Sequence, residues 1–293
     1  MKNLRESMQK AGILVTDGAT GTMLQKVGLP PGVPSEQWVL ENPNAVLDLH
    51  RAYIEAGSDA ILTNTFGATR VKLDRLQLGD KVADINQTGA RLARQAAAQS
   101  VFVIGDIGPT GKMIEPLGDL SYADAVTTFA EQTKNLLEGN IVDAILIETM
   151  SDLNEAKAAI EGAQQHIKNI PLIVTMSFDT RGRTMMGVKP KQAAKEFLAM
   201  NVDIIGANCG RSLDENLQAI QEIREAAPDA ILWAKPNAGL PQVSGGDTIY
   251  DVTAEVMAEY ALKFAALGVK FFGACCGSTP ETIRAIKHAL QTT

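Results

Sequence analysis

Eight short apolar runs, each separated from the next by a segment of helical periodicity, limit what this 293-residue chain can fold into. The runs are nearly continuously apolar rather than alternating, which is typical of parallel strands that are covered on both faces. They span residues 13–16, 59–64, 101–106, 143–148, 171–178, 202–208, 230–236 and 269–276. Eight strand-then-helix units predict an α/β fold, a (β/α)8 TIM barrel. No linker or low-complexity stretch divides residues 1–293, so we predict a single domain.

The segments between the runs carry signals of helix starts. Asn42 and Pro43 offer an N-cap and a first-turn proline ahead of an amphipathic segment. Asp152 and Ser278 are each followed by a glutamate three residues later, which is the spacing of a capping box. The Pro/Gly-rich stretch of residues 26–37 predicts a loop on the rim of the barrel. We therefore expect helices to begin at these three positions.

The composition of the chain excludes several classes of function. The net charge is −7 and no basic cluster is present, which argues against nucleic acid or an anionic membrane as a partner. No apolar run approaches the roughly 20 residues that span a bilayer, and the N-terminus lacks the pattern of a signal peptide. Three cysteines, an odd number, do not form the disulfide framework of a small secreted domain. We expect a cytoplasmic protein with reduced thiols.

Polar side chains and all three cysteines collect at the predicted carboxyl ends of the strands, where TIM-barrel active sites lie. A hydrophobic core does not require such residues at these positions, so we predict that the site is built from this group. Asn64, Ser177 and Asn208 are predicted to contact the substrate. The whole group is Asp17, Asn64, Thr65, Asp106, Glu148, Ser177, Asp179, Asn208, Cys209, Asn237, Cys275 and Cys276.

Cys209, Cys275 and Cys276 point to a metal centre. The sixth and eighth strands are two apart in an eight-strand ring, so thiols at their ends can converge on one ion. Successive strand residues point to opposite faces, so the adjacent pair can share an ion only if the backbone turns, and Gly277 favours a turn. Three thiolates with an open fourth position suit Zn²⁺ in a catalytic role.

Other interpretations of the cysteines stay open from the residues alone. A free cysteine often packs as a small buried hydrophobe, and adjacent cysteines can form a strained disulfide. Histidine ligands are not expected, because His50, His166 and His288 lie on predicted helices away from the strand ends. We predict that these three histidines are packing or surface residues.

Seven motifs occur in the order found in the homocysteine S-methyltransferase family. They are DGATGTMLQ, TNTFGAT, GDIGPTGK, ETMSD, GANCG, KPNAG and GACCGSTPETI. The chain resembles this family from about Ile13 to the last predicted helix, and is most similar to the homocysteine-binding domain of cobalamin-dependent methionine synthases. Betaine-dependent members have a tyrosine after the TF of the second strand. Here Gly67 follows Phe66, which speaks against that branch.

The resemblance implies a zinc-dependent enzyme that activates homocysteine as a thiolate and methylates it to methionine. It implies that the three cysteines are the catalytic zinc thiolates and that Asn237 fills the fourth position until the substrate displaces it. It also implies that Asp17 and Glu148 hold the substrate ammonium group. Gly18 and Ala19 would lie on the loop next to the amino acid.

The methyl donor is left open by the sequence. The resemblance favours a methyl-corrinoid (cobalamin) carried by another domain or protein, because a chain of this length has no room for a cobalamin domain. S-methylmethionine is the alternative donor, and another small thiol is an alternative acceptor. A different class of function, a structural-zinc or redox-sensing barrel without catalysis, also fits three cysteines.

Overall fold

Eight parallel strands form a closed ring in the computed structural model, which describes residues 3–10, 12–244 and 247–292. Their bounds are β1 (Leu14–Val15), β2 (Ala60–Leu62), β3 (Phe102–Ile107), β4 (Ala144–Met150), β5 (Leu172–Met176), β6 (Ile204–Cys209), β7 (Ile231–Pro236) and β10 (Val269–Phe272). The strands hydrogen-bond in the order β1-β10-β7-β6-β5-β4-β3-β2, and a bridge between Thr16 and Ala60 joins β1 to β2. Each predicted run overlaps one of these strands, and β3, β4 and β6 end one or two residues after their runs. The predicted single-domain TIM barrel is confirmed.

The segments between the strands are helical, and β8 (Gln242–Ser244) and β9 (Asp247–Ile249) form a separate hairpin after β7. Within the described ranges no helix is both long and apolar enough to cross a membrane. The helices are α1 (Leu4–Met8), α2 (Gly21–Lys26), α3 (Trp38–Glu41), α4 (Pro43–Glu55), α5 (Arg70–Asp74), α6 (Val82–Ala97), α7 (Tyr122–Leu136), α8 (Leu153–Gln164), α9 (Pro190–Ala199), α10 (Leu213–Ala226), α11 (Ala254–Ala266) and α12 (Pro280–Gln291).

Alternating strand residues divide the core into an interior and an outer layer. Phe102 and Ile104 of β3 belong to the cluster inside the barrel, whereas Val103 packs in the layer between strands and helices. Helix α1 adds Leu4 and Met8 to the interior cluster. The interior positions beyond these apolar residues, toward the carboxyl ends of the strands, carry the polar side chains of the candidate site.

Two of the predicted helix starts differ in detail from the structure. Asp152 caps α8 by accepting from the Asn154 amide at 2.7 Å, but Glu155 does not complete a capping box. The Glu155 carboxylate instead accepts from the amide and hydroxyl of Thr110, at 2.8 and 2.6 Å. Because Thr110 is buried, its amide and hydroxyl need acceptors, and the Glu155 carboxylate serves both.

The start of α12 is shifted by one residue from the predicted capping box. Thr279, rather than Ser278, is the N-cap, and it pairs with Thr282. The prediction for Ser278 is wrong because its hydroxyl is engaged elsewhere. It donates to the Cys275 carbonyl at 2.7 Å and accepts from the Ala19 amide at 3.0 Å. The predicted start at Pro43 is confirmed, although Asn42 makes no side-chain capping bond.

His50 on α4 gives the fold an expected sensitivity to acid. Burial lowers the pKa of this imidazole from 6.5 to about 4, and the nearby Asp17 carboxylate only partly opposes the effect. Between these two pH values the unfolded chain binds a proton that the folded chain does not. The free energy of unfolding therefore falls as the pH falls through this window, by about 3 kcal/mol in total.

Urea unfolding of wild-type protein and H50Q between pH 7.5 and pH 4 measures this loss. We expect H50Q to lack that part of the acid destabilisation. H288Q is the matched control, because His288 is exposed on α12, and it should follow the wild-type curve. An H50Q protein that loses as much stability in acid as wild type would contradict the assignment.

Candidate metal and substrate site

Three cysteine side chains meet at the carboxyl end of the barrel, one from β6 and two from the segment after β10. The Sγ atoms of Cys209 and Cys275 lie 3.3 Å apart, and the three Sγ atoms, including that of Cys276, lie within 4.8 Å of one another. All three are free thiols. Zinc–sulfur bonds of about 2.3 Å in a tetrahedron space the sulfur atoms about 3.8 Å apart. A set of this size fits one metal ion.

Left-handed backbone conformations orient these thiols. Cys209 has a φ of 56°, and Gly277, which follows the adjacent pair, has a φ of 83°. The predicted turn at Gly277 is therefore present. A non-glycine residue such as Cys209 keeps a positive φ only where its surroundings hold it, and such residues concentrate at functional sites.

Asn237 connects the two cysteine segments. Its amide donates to the Gly210 carbonyl at 2.9 Å, and its Oδ1 accepts from the Cys276 amide at 3.1 Å. Both ends of the side chain are thus hydrogen-bonded to backbone on either side of the thiol cluster. Asn237 thus lies next to both cysteine segments, and its Oδ1 keeps a second lone pair.

Asn208 supports the β6 side of the cluster. It is fully buried, and its amide donates to the Thr149 hydroxyl at 2.6 Å and to the Cys209 sulfur at 3.4 Å. Its Oδ1 accepts from the Thr149 amide at 2.8 Å and the Thr175 hydroxyl at 2.7 Å. Because Thr149 also has a positive φ, of 61°, Asn208 holds two unusual backbone conformations in place.

Replacement of Gly277 by alanine is expected to weaken metal binding and the fold. An added Cβ would overlap the ring of Tyr250, in addition to the cost of the positive φ. G187A is the matched control, because Gly187 has a φ of 84° but no atom within 4 Å of an added Cβ. We expect G187A to cost about 1 kcal/mol, and G277A to cost more and to lower zinc affinity about tenfold. Equal zinc affinity of the two variants in a chelator competition would contradict this prediction.

The thiols interact electrostatically as one group. Hydrogen bonds from Cys209 and then from Cys275 lower the pKa of Cys276 to about 3. The pKa of Cys209 is raised well above its usual value, first by the hydrogen bond with Cys275. One thiolate is therefore stabilised at neutral pH by its two neighbours, and the cluster carries the negative charge that a cation requires.

Three carboxyl groups lie in the interior of the barrel mouth. Asp17, Asp106 and Glu148 are 2%, 5% and 6% exposed. Burial raises the pKa of Glu148 to about 8, with the Lys235 ammonium opposing the shift. Burial, followed by the charge of Glu148, raises the pKa of Asp106 well above its usual value. Burial thus disfavours the charged forms of Asp106 and Glu148.

Lys235 on β7 is a site residue that sequence reasoning missed. It is 3% exposed, and its Nζ lies 2.9 Å from Asp17 Oδ1 and 3.5 Å from the Gly18 carbonyl. Burial alone would lower the pKa of Lys235, but Asp17 and Glu148 raise it above its usual value. A lysine inside an otherwise apolar strand run was the signal that could have identified it.

The loop after β1 is held from several sides. Asp17 Oδ2 accepts from the Leu62 amide at 2.8 Å. The Ala19 amide donates to the Ser278 hydroxyl at 3.0 Å, and the Ala19 carbonyl accepts from the Tyr53 hydroxyl at 2.7 Å. A Cβ on Gly18 would lie 2.6 Å from Ser278 Oγ, so the close packing of this loop requires glycine.

The two other predicted substrate residues also lie at the barrel mouth. Asn64 is bonded to the Pro/Gly-rich loop: it accepts from the Ser35 hydroxyl at 2.8 Å and donates to the Ser35 carbonyl at 2.7 Å. This loop lies on the rim, as predicted. Ser177 is buried directly after β5. The structure therefore brings the cysteines and carboxylates together, while the Asn64 side chain is occupied by the rim loop.

Residues 14–290 match the family model for homocysteine S-methyltransferase. The chain belongs to the homocysteine S-methyltransferase family. This membership confirms the family resemblance of the motifs and the predicted class of enzyme.

Curated relatives of this chain include the methionine synthases of Mycobacterium leprae (strain TN) and Mycobacterium tuberculosis (strain ATCC 25618 / H37Rv). Each is 31% identical over 297 residues, which cover 95% of this chain and 24% of the relative. The chain thus spans about a quarter of the length of these relatives.

A solved structure with the same fold is the homocysteine methyltransferase MmuM from Escherichia coli in its metallated form. It superposes with a TM-score of 0.82 at 22% identity, over 97% of this chain and 99% of MmuM. At this level of identity the likeness establishes the shared barrel fold.

Proposed function

We propose that this chain is a zinc-dependent methyltransferase that methylates the sulfur of homocysteine to give methionine. The observation that carries the proposal is the convergence of Cys209, Cys275 and Cys276 at the carboxyl end of a homocysteine S-methyltransferase barrel. A structural zinc site closes with four protein ligands. Three thiols instead leave a position that a substrate sulfur can take.

The three cysteines would hold the zinc ion as thiolates, with Asn237 beside them as a displaceable oxygen ligand. Bound zinc acts as a Lewis acid that lets a substrate thiol exist as a thiolate at neutral pH. Free thiols with a pKa near 8.5 are mostly protonated at that pH and are poor nucleophiles. The spacing of the sulfur atoms and their shared negative charge support this assignment.

The carboxyl groups would orient the amino acid end of the substrate. Glu148 and Asp17 lie in the interior beside the thiols, and a carboxylate binds an ammonium group by charge-assisted hydrogen bonds. The loop of Gly18 and Ala19 would form the adjoining wall, which Ser278 and Tyr53 keep rigid. A substrate fixed at both ends presents its sulfur to the donor in one orientation.

We infer that the methyl donor is a methyl-corrinoid carried by another domain or protein. The support is that the chain spans 24% of the length of its methionine synthase relatives, which leaves the remainder to other functions. Assays with methylcobalamin and with S-methylmethionine would distinguish the two candidate donors. Three free thiols also favour a reducing compartment, and we place the protein in the cytoplasm.

Zinc X-ray absorption of the reduced protein tests the proposal. We expect three sulfur atoms and one lighter atom around zinc, and four sulfur atoms after addition of L-homocysteine. An absence of bound zinc would remove the metal from the mechanism. A zinc shell that does not change with L-homocysteine would favour a structural or redox-sensing role for the cysteines.

A further inference from the structure

Two buried carboxyl oxygens at the barrel mouth have no hydrogen-bond donor within the part of the chain that the structure describes. They are Oδ1 of Asp106 and Oε2 of Glu148. Oδ1 of Asp17, the third carboxyl group of the mouth, is paired with the Lys235 ammonium at 2.9 Å. Buried acceptors without donors are rare in folded proteins because each is costly. Two together point to a ligand that brings its own donors.

Asp106 faces the same space as Glu148. Phe102 and Ile104 of β3 point into the barrel. Asp106 lies two residues after Ile104, so strand alternation places it on the same inward face. On the neighbouring strand β4, Leu146 is the register partner of Asp106 and belongs to the interior cluster. Glu148 lies two residues after Leu146 on the same face of β4. The carboxyl groups of Asp106 and Glu148 therefore project from adjacent strands into the barrel mouth.

The charges around this space are unbalanced. Lys235 compensates Asp17, at 2.9 Å, but Asp106 and Glu148 have no cation of their own among the described residues. Burial raises the pKa of both groups, and a bound cation would stabilise their charged forms. The missing component is thus a small cation with several hydrogen-bond donors.

We propose that Asp106 is a third acceptor for the ammonium group of the substrate, together with Glu148 and Asp17. An alkylammonium group carries three N–H donors and no acceptor. The unpaired oxygens of Asp106 and Glu148 can accept two of these donors, and the Asp17 carboxylate of the same mouth can accept the third. The family motifs imply only Asp17 and Glu148 for this task, so Asp106 is an added specificity residue. The inference rests on the proposed function, since homocysteine supplies the ammonium group.

Calorimetric titration of the zinc-loaded protein with two ligands tests the role of Asp106. The ligands are L-homocysteine and 4-mercaptobutanoate, which has the same thiol and carboxylate but no amino group. We expect wild type to prefer L-homocysteine, and D106L to lose about tenfold or more of this preference, because one charge-assisted hydrogen bond is removed. The affinity for 4-mercaptobutanoate should stay at the wild-type value.

D106N and D48N are the second variant and the control. D106N keeps the shape of the side chain and one acceptor oxygen, so its preference should fall by less than that of D106L. D48N removes an exposed carboxylate on α4 that pairs with Arg51 at 3.2 Å, and should leave the preference unchanged.

Two outcomes separate the inference from the proposed function. A preference for L-homocysteine that survives in both Asp106 variants, or an equal loss for both ligands, would overturn the role of Asp106 alone. Wild-type protein that binds neither ligand would overturn the proposed function and the inference with it.

Discussion

Cys275→Ser is expected to weaken zinc binding by about 10²–10³-fold and to lower homocysteine methylation with it. The Cys275 sulfur lies 3.3 Å from that of Cys209, within the proposed ligand set. Zinc binding of about 10–16 kcal/mol, divided over four ligands, assigns about 2.5–4 kcal/mol to each, which is about 10²–10³-fold in affinity. A serine hydroxyl does not replace this contribution, because it stays protonated at neutral pH. Competition with a chromophoric chelator measures the affinity.

Two controls accompany this measurement. Wild-type protein stripped of zinc by a chelator should lose activity and regain it on reloading, which shows that the metal rather than the treatment matters. T149S is the matched variant, because the Thr149 hydroxyl lies 3.9 Å from the Cys209 sulfur without belonging to the ligand set. It should bind zinc as wild type does. A C275S protein that retains zinc at wild-type affinity would refute the three-thiolate centre.

Lys235→Met should destabilise the fold by about 3–5 kcal/mol, the cost of leaving a buried charge without its partner. Its ion pair with Asp17 is almost completely excluded from solvent, with side chains 4% and 2% exposed. The variant leaves the Asp17 carboxylate with only the Leu62 amide as a partner. Urea unfolding at pH 7.5 gives the difference in the free energy of unfolding.

The double variant D17N/K235M distinguishes pairing from packing. If the cost of K235M arises from the unpaired carboxylate, the double variant should be more stable than K235M alone. K191M is the surface control, because Lys191 pairs with Glu225 at 2.8 Å but both side chains are about half exposed. The K191M variant should lose less than about 1 kcal/mol of the free energy of unfolding. Equal losses in K235M and K191M would contradict a buried pair.

Much of the fold was predictable because the information is local. Parallel strands buried on both faces need continuous apolar runs, and eight such runs with helices between them permit few other architectures. The turn at Gly277 was predictable for the same reason. A glycine directly after the adjacent cysteines favours a turn, and the structure gives Gly277 a φ of 83°.

Local reasoning failed where a side chain had a stronger partner from a distant part of the chain. Ser278 has capping-box spacing, but its hydroxyl accepts from the Ala19 amide, 259 residues away. Glu155 likewise bonds to Thr110 rather than to its own helix. These partners exist only after the barrel brings separate segments together.

The sequence by itself determined the barrel, the family and the gathering of three cysteines at the strand ends. The apolar runs and the family motifs are short stretches of sequence, and their order can be followed along the chain without knowledge of any tertiary contact. Tertiary structure alone decided that Lys235 neutralises Asp17 and that Asp106 keeps an unpaired oxygen beside Glu148. The reason is that pairing in a barrel depends on which strands are adjacent and in which register, and on the donors that remain after every other buried group is satisfied.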